Sequence, residues 1–167
     1  AWYVEATSDG GYLLAGMTIF DANSDAYVVK TDGDGELQWT YVYGGNEDEW
    51  TGVAQQTSDG GYVITGGTLS FGAGGYDAFL VKLAADGSEE WTRTYGGHRD
   101  DEGWGLCQAA DGGYVIVGGT HSFGLGSYGV YIIKTDAEGN SEVPPAPTYV
   151  VTVHRENGVV LGAGAYL

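Results

Sequence analysis

Acidic side chains are the residues of this chain whose types and spacing first suggest chemistry. The segments "NEDE" at 46–49 and "HRDDE" at 98–102 both follow Tyr-Gly-Gly, so that Asp48 and Asp100 occupy equivalent positions. Two carboxylates about 5–9 Å apart can hydrolyse a glycosidic bond. Because these are repeated loop features, we interpret them as turn residues that form hydrogen bonds and face water, in a band of negative charge. No enzymatic activity is predicted.

The segment "DANSD" places Asp21, Asn23 and Asp25 at alternate positions, as the oxygen ligands of calcium loops are placed. The later repeats have "FGAGGYD" and "FGLGSYG" there, so this would be a single site, and the downstream bidentate Glu of an EF-hand is missing. We favour a solvated turn, with calcium as the alternative. No other cofactor is predicted.

Three lysines, the only ones in the chain, recur every 52 residues at Lys30, Lys82 and Lys134. A catalytic lysine would not need three copies. We therefore predict a structural role, with the aliphatic stem packed and the ammonium paired with a turn carboxylate. Cys107, in "WGLCQ", is predicted to be a small buried apolar side chain. The histidines fall at unrelated positions of the repeat, so that no zinc site or catalytic triad is predicted: His98, His121 and His154.

Two glycine-rich loops, "LSFGAGGY" and "HSFGLGSY", carry aromatic side chains at equivalent positions. Exposed aromatic rings can stack on the apolar faces of ligands such as sugars. Aromatic residues in such loops more often cap the interface between neighbouring structural units. Four residues are the candidates for ligand binding: Phe71, Tyr76, Phe123 and Tyr128.

Internal repetition organises the whole chain. The turn sequence "DGGY" begins at Asp9, Asp59 and Asp111, and Trp39 recurs as Trp91. Periods of about 50 residues are typical of propellers and solenoids. Each period predicts four short strands: one before the turn, "YVITGGT" after it, "DAFLVK" ending at a lysine, and "EEWTRTY" with the tryptophan.

The third strand of the repeat decides the predicted architecture. Phe79 and Val81 point to one face and Ala78 and Leu80 to the other, so both faces are apolar and both must be covered. The fourth strand instead alternates apolar and polar residues, which indicates an outer strand with one wet face. The predicted fold class is all-β: a β-propeller-like array of four-stranded antiparallel blades, with three repeats plus a partial fourth.

The same blocks resemble known repeats. The succession "VITGG", Tyr76 and "DGSEEW" resembles a blade of the kelch-type propellers, and "DGGY" is similar to the repeats of uncharacterised bacterial and archaeal surface proteins. The resemblance covers about residues 1–140. It implies a propeller-like fold and an extracytoplasmic setting, and it implies no activity.

The C-terminal part departs from the repeat. Three repeats are predicted at about 1–45, 46–97 and 98–142, followed in the same domain by a proline-rich linker and a hairpin at 143–167. Val143 stands where a tryptophan is due, and the prolines after it cannot belong to a central strand. We interpret the hairpin as the first two strands of a fourth repeat. Alternatively, "TYVVTVH" replaces the fourth strand of the third repeat.

Charge limits the classes of partner. Six basic and 23 acidic residues give a net charge of −17, which repels phosphate backbones and anionic lipids, so nucleic acid and membrane binding are not expected. No stretch approaches the ~20 apolar residues of a membrane helix. The first residue is Ala1 rather than Met. We expect either a fragment or, preferably, an exported protein, secreted or at the cell surface.

The predicted function is that of a non-catalytic extracellular structural or interaction module. Incomplete blade edges and an apolar tail predict self-assembly by strand addition, into a ring or a filament. Alternatively, the hairpin completes its own fold, or the protein is a carbohydrate- or calcium-binding, lectin-like propeller, with glycans or other surface proteins as partners. The predicted self-association residues are Tyr149, Val151, Val153, Val159, Val160, Leu161, Tyr166 and Leu167.

Overall fold

The structure is a computed structural model that describes residues 1–20, 22–124, 128–141, 149–156 and 159–165. Regular structure in these residues is entirely β, in three antiparallel sheets. The predicted all-β class is therefore confirmed. No helix of the described ranges could cross a membrane.

Each of the first two sheets is a simple meander of four strands. The first has the order β1-β2-β3-β4, formed by β1 (Tyr3–Ala6), β2 (Tyr12–Phe20), β3 (Asn23–Thr31) and β4 (Leu37–Tyr43). The second has the order β5-β6-β7-β8, formed by β5 (Glu49–Gln56), β6 (Tyr62–Thr68), β7 (Asp77–Leu83) and β8 (Glu89–Tyr95). The four predicted strands of each of these repeats are thus present.

The third sheet has five strands in the order β13-β12-β11-β10-β9. They are β9 (Asp101–Gln108), β10 (Tyr114–Thr120), β11 (Gly129–Lys134), β12 (Tyr149–Glu156) and β13 (Val159–Ala165). β12 pairs with β11, with Tyr131 opposite Val150. It therefore takes the place that β4 and β8 have in their sheets.

This pairing corrects the interpretation of the tail as the start of a fourth repeat. The alternative is what the structure shows: "YVVTVH" replaces the fourth strand of the third repeat. The edge of β11 needs backbone partners, and this β-branched segment is the first after the prolines that can supply them.

Two apolar cores lie between the sheets, one on each face of the second sheet. Phe79 and Val81 of β7 belong to the core shared with the first sheet, whereas Ala78 and Leu80 belong to the core shared with the third. All seven residues of β7 are buried. The prediction that both faces of this strand are covered is confirmed.

The outer strand β4 behaves as its alternation predicts. Trp39 and Tyr41 pack against the first core, while Gln38 and Thr40 are exposed, and Leu37 at the start of the strand is exposed as well. This strand therefore has one dry and one wet face.

Cys107 is exposed, and the prediction that it is buried is wrong. In β9 its neighbour Leu106 packs against the second core, so alternation turns the thiol to the opposite face of the sheet. That face has no further sheet over it in the described structure. The local apolar sequence could not show which face of the strand would be covered.

The repeated turn uses its two glycines for different reasons. In the second sheet, Gly60 has a φ of +86°, which favours glycine, and a Cβ there would meet nothing within 4 Å. A Cβ at Gly61 would lie 2.5 Å from the carbonyl oxygen of Leu83. The Asp59 carboxylate accepts hydrogen bonds from the Gly61 N–H at 2.9 Å and from the Thr57 hydroxyl at 2.5 Å. Only the first glycine is thus needed for its backbone angle, and the second is needed for space.

This division predicts different outcomes for one substitution at adjacent positions. Gly60→Asn should lower the free energy of unfolding by no more than about 1 kcal/mol, because asparagine tolerates left-handed angles. Gly61→Asn should lower it by about 1–3 kcal/mol, because the backbone must move to admit the side chain. Chemical denaturation of both variants measures the difference. Equal losses would contradict this account of the turn.

Candidate functional site

The three lysines form the most regular set of polar contacts in the structure. Lys30 donates from Nζ to Asp9 Oδ2 at 2.7 Å, to the carbonyl oxygen of Thr31 at 2.7 Å and to Gln38 Oε1 at 2.9 Å. The hydrogen bond from Lys30, with others from Thr7 and Gly11, holds the pKa of Asp9 well below its usual range. This lysine fastens the end of β3 to the preceding turn.

The other two lysines make the same contact in their own repeats. Lys82 Nζ lies 3.1 Å from Asp59 Oδ2, and Lys134 Nζ lies 2.8 Å from Asp111 Oδ2. The predicted structural role, with each ammonium paired to a turn carboxylate, is confirmed.

The equivalent carboxylates Asp48 and Asp100 bind backbone. Asp48 Oδ1 accepts from the Ser24 N–H at 2.8 Å and the Ser24 hydroxyl at 3.0 Å. Asp100 Oδ1 accepts from the Tyr76 N–H at 3.0 Å. Both carboxylates therefore hold the start of the third strand of the preceding sheet, which confirms the hydrogen-bonding role predicted for these loops.

The next acidic residue in each loop corrects the prediction of a solvated band. Glu49 and Asp101 are completely buried. Glu49 accepts hydrogen bonds from the Thr68 hydroxyl at 2.7 Å, the Ser70 N–H at 2.9 Å and the Gly45 N–H at 2.8 Å. Glu49 and Asp101 are buried because each is the first residue of the first strand of its sheet. There, N–H groups of the adjoining loops surround the carboxylate. The repeat alone does not distinguish these buried acids from their exposed neighbours.

Asp101 is one methylene shorter than Glu49 and makes fewer contacts. Its Oδ2 accepts from the Gly97 N–H at 2.7 Å, while its Oδ1 has no hydrogen-bond partner. Nearby, Asp77 is also buried and accepts from the Ala73 N–H at 2.6 Å. Burial raises the pKa of Asp77 to about 6, against the hydrogen bond from Ala73, and the charge of Asp101 adds to the rise.

The "DANSD" segment is a turn only in part, because Ala22 is an exposed turn residue between β2 and β3. Asn23 and Asp25 lie in β3, and Asp21 falls outside the described residues. Asn23 donates from Nδ2 to the carbonyl oxygen of Glu47 at 2.8 Å, and Asp25 is buried, with its pKa raised by burial and then by nearby acids. In the described ranges, no three His, Cys, Asp or Glu side chains are grouped to hold a metal ion. Calcium binding stays a prediction.

The candidate aromatic residues are divided between different surroundings. Phe71 packs against Tyr43 with ring centroids 5.5 Å apart, and Phe123 packs against Tyr131 at 5.8 Å. Phe123 caps the second core, as predicted for these loops, whereas Phe71 contacts Tyr43 of the first core but is itself 43% exposed. Tyr128 is exposed, with its ring centroid 6.1 Å from that of Trp104, and Tyr76 is half-buried.

Two surface cavities contain the two phenylalanines separately. Phe71 lines one of ≈ 430 Å³ together with Glu89 and Arg93. Phe123 lines another of ≈ 540 Å³ together with His98 and His121. Sequence spacing missed this approach of two histidines, because it arises from the contact between successive loops. Among the described residues, Phe71 and Phe123 line different cavities, and Tyr128 contacts His121 of the Phe123 cavity with ring centroids 4.7 Å apart. Glycan binding stays a prediction.

The predicted self-association residues lie at one sheet edge. Tyr149, Val151 and Val153 belong to β12, and the valines and leucine at 159–161 belong to β13. Tyr166 and Leu167 are outside the described residues. β13 pairs with β12 on one side, and no described strand pairs with its other side.

The lysine contacts predict a graded effect of removing the charge. Lys30→Met keeps the stem but leaves Asp9 and the Thr31 carbonyl oxygen without this donor, which should lower the free energy of unfolding by about 1–3 kcal/mol. Lys134→Met should cost less than about 1 kcal/mol, because this lysine is partly exposed and water can replace it. Chemical denaturation of both variants tests the order, and a larger loss for Lys134→Met would contradict it.

The buried acid pair predicts a pH dependence of stability. The pKa of Asp77 is raised on folding, so its contribution is fully present below its unfolded pKa and is lost as pH rises through about 6. Asn carries no such charge, so the stability of the parent relative to Asp77→Asn should fall between pH 4 and pH 7. Thermal unfolding across this range measures it, with the exposed turn variant Asp34→Asn as control. A difference that is constant with pH would refute the account.

Comparison with family models and with curated proteins found no match for this chain.

Proposed function

We propose that this chain is a non-catalytic structural or interaction module that assembles with other copies by strand addition at β13. In this proposal the protein is extracytoplasmic, secreted or at a cell surface, as the resemblance of "DGGY" to surface-protein repeats implies. The observation that carries the proposal is the position of β13 at the outer edge of the third sheet. Exposed edges are templates for pairing with another chain.

The composition of β13 supports this edge as a pairing surface. Natural sheet edges are usually protected by charge, proline or a bulge that turns the strand away. The sequence of β13, "VVLGAGA", has neither a charged residue nor a proline, and its pairing with β12 is irregular at one place, between Val153 and Arg155. By contrast, the outer strand β8 carries Glu89, Glu90 and Arg93. Main-chain hydrogen bonds from a neighbour would give β13 partners on the side where no described strand pairs with it.

The use of the polar residues supports a non-catalytic role. Asp48 and Asp100, the pair of carboxylates compared with those of glycosidases, accept hydrogen bonds from backbone N–H groups of the preceding sheet. The lysines are paired with the turn carboxylates of their own repeats. The charged side chains that recur in each repeat thus form hydrogen bonds and ion pairs that hold the sheets and turns together.

The arrangement of the sheets supports a propeller-like array as part of the proposal. Each of the first two sheets is a four-stranded antiparallel meander, as a propeller blade is. The second sheet shares an apolar core with a neighbour on either face, as blades in a propeller do. The finer assignment to a propeller rests on these two features and on the repeat.

The test removes β13 and leaves β12 in place. We expect the parent protein to form species larger than one chain, and a variant lacking residues 157–167 to be smaller while keeping its β spectrum. The single substitution Leu161→Lys should act in the same direction, because edge charges oppose strand pairing. Val42→Lys, on the outer strand β4, is the matched control and should leave the size unchanged.

Light scattering after size exclusion, with far-ultraviolet circular dichroism, supplies both measurements. A monomeric parent, or a deletion variant that assembles as the parent does, would refute strand addition at β13.

A further inference from the structure

Every sheet in this structure has two different faces. One carries the tyrosine that follows the Asp-Gly-Gly turn, and we name it the Tyr face. The other carries the lysine that ends the third strand, and we name it the Lys face. The Lys face of the first sheet packs on the Tyr face of the second, and the Lys face of the second packs on the Tyr face of the third.

We call each of these two contacts between neighbouring sheets a seam, and the two seams repeat the same side-chain pairs. Tyr62 lies with its ring centroid 5.1 Å from that of Trp39, and Tyr114 lies 5.9 Å from Trp91. Burial raises the pKa of Tyr114 to about 12, and the charge of Asp59 adds to the rise. The tyrosines of the second and third sheets therefore each lie on the tryptophan of the sheet before and near the turn aspartate that its lysine pairs with.

Backbone contacts repeat across the seams as well. The Ser8 N–H donates to Gln56 Oε1 at 2.8 Å, and the Ser58 N–H donates to Gln108 Oε1 at 2.9 Å. Each seam thus joins the turn of one sheet to a glutamine at the end of the first strand of the next. The two seams therefore use the same pairs of residues, a tryptophan with a tyrosine and a serine N–H with a glutamine.

The Tyr face of the first sheet is uncovered in the described structure. Tyr12 is 42% exposed, whereas its equivalents Tyr62 and Tyr114 are 3% and 2% exposed. Val4, on the same face, is 62% exposed, whereas its equivalent Ala54 is fully buried. This face keeps the apolar character of a seam but has no sheet packed against it among the described residues.

Among the described residues, no sheet packs on the Lys face of the third sheet either. Val130 is 47% exposed, whereas its equivalent Ala78 is 0% exposed. The side chain of Lys134 is 39% exposed, against 1% for Lys30 and 4% for Lys82. The pair of Lys134 with Asp111 is formed, but no tyrosine covers it in the described part of the chain.

We propose that a second copy of this chain docks here, with the Tyr face of its first sheet on the Lys face of the third sheet. A second copy is the occupant because the uncovered faces carry Tyr12 on one and Lys134 on the other, the residue types that meet in the two intrachain seams. By contrast, Ala6 and Val143 stand in the sequence where those seams have glutamine and tryptophan. Tyr12 of one copy would lie over Lys134 and Asp111 of the other. This contact rests on the proposed self-assembling function but uses a surface different from β13.

The contact joins two different faces, so it is heterologous, and it leaves one face of each kind free. Copies would therefore add head to tail until a ring closes or a filament grows. An aspartate placed on either face would put an unpaired charge into the seam.

The test uses this asymmetry. Tyr12→Asp removes only the Tyr face, and Val130→Asp removes only the Lys face. We expect each variant alone to lose face-to-face assembly, and an equimolar mixture, with residues 157–167 removed from both variants, to form dimers of one copy of each. Ile19→Asp, which changes a more exposed apolar residue at the tip of the β2–β3 hairpin, is the control and should assemble like the parent.

Cys107 gives a readout specific to this contact. It is the only cysteine of the chain, it is exposed, and it lies on the Lys face of the third sheet. Its reaction with a thiol reagent should slow as the parent protein is concentrated, and this protection should be lost in Tyr12→Asp. Removal of residues 157–167 should leave the protection in place, which separates this proposal from strand addition.

Three outcomes would overturn the inference. They are Cys107 reactivity that does not depend on concentration, aspartate variants that assemble as the parent does, and a mixture of the two variants that does not recombine. Circular dichroism and thermal unfolding of each variant establish that it is folded before its assembly is measured.

Discussion

The structure depends most on the contact between a lysine and the aspartate of a glycine turn. The ammonium of Lys30 joins the turn carboxylate of Asp9, the carbonyl oxygen of Thr31 and the amide of Gln38. It thereby ties together the turn before the second strand, the end of the third strand and the start of the fourth. Because the charge is satisfied on three sides, its aliphatic stem can lie in an apolar seam at little cost. Tyr62 of the following sheet then lies near a lysine–aspartate pair whose charges are already satisfied.

The second sheet is buried on both faces, because the first sheet packs on one face and the third sheet on the other. Each buried apolar residue there belongs to one of two cores, according to its parity along the strand. Such a sheet needs no loop or helix to cover it. Polar residues at its ends, such as Glu49, take their hydrogen bonds from the loops of the neighbouring strands.

Much of this organisation could be predicted from the sequence, because it depends on local alternation and on repetition. The two faces of β7, the outer position of β4 and the lysine pairs all follow from residue spacing. What could not be predicted depends on the neighbours of a residue in space. The burial of Asp101, the exposure of Cys107 and the space needed at Gly61 each depend on a segment distant in sequence. The place of β12 depends on an open edge of β11, which the proline-rich break concealed.

The likeness of the two seams has a consequence for how the fold responds to stress. When each unit touches only its neighbours through equivalent contacts, stability becomes a sum of one intrinsic contribution for each unit and one coupling energy for each junction. The second sheet has two junctions and the others one each among the described residues. On heating, the first and third sheets should therefore unfold before the second. Amide hydrogens of β7, in the second sheet, should exchange last. In such a chain, a defect at one junction weakens two sheets and leaves the third with its own stability.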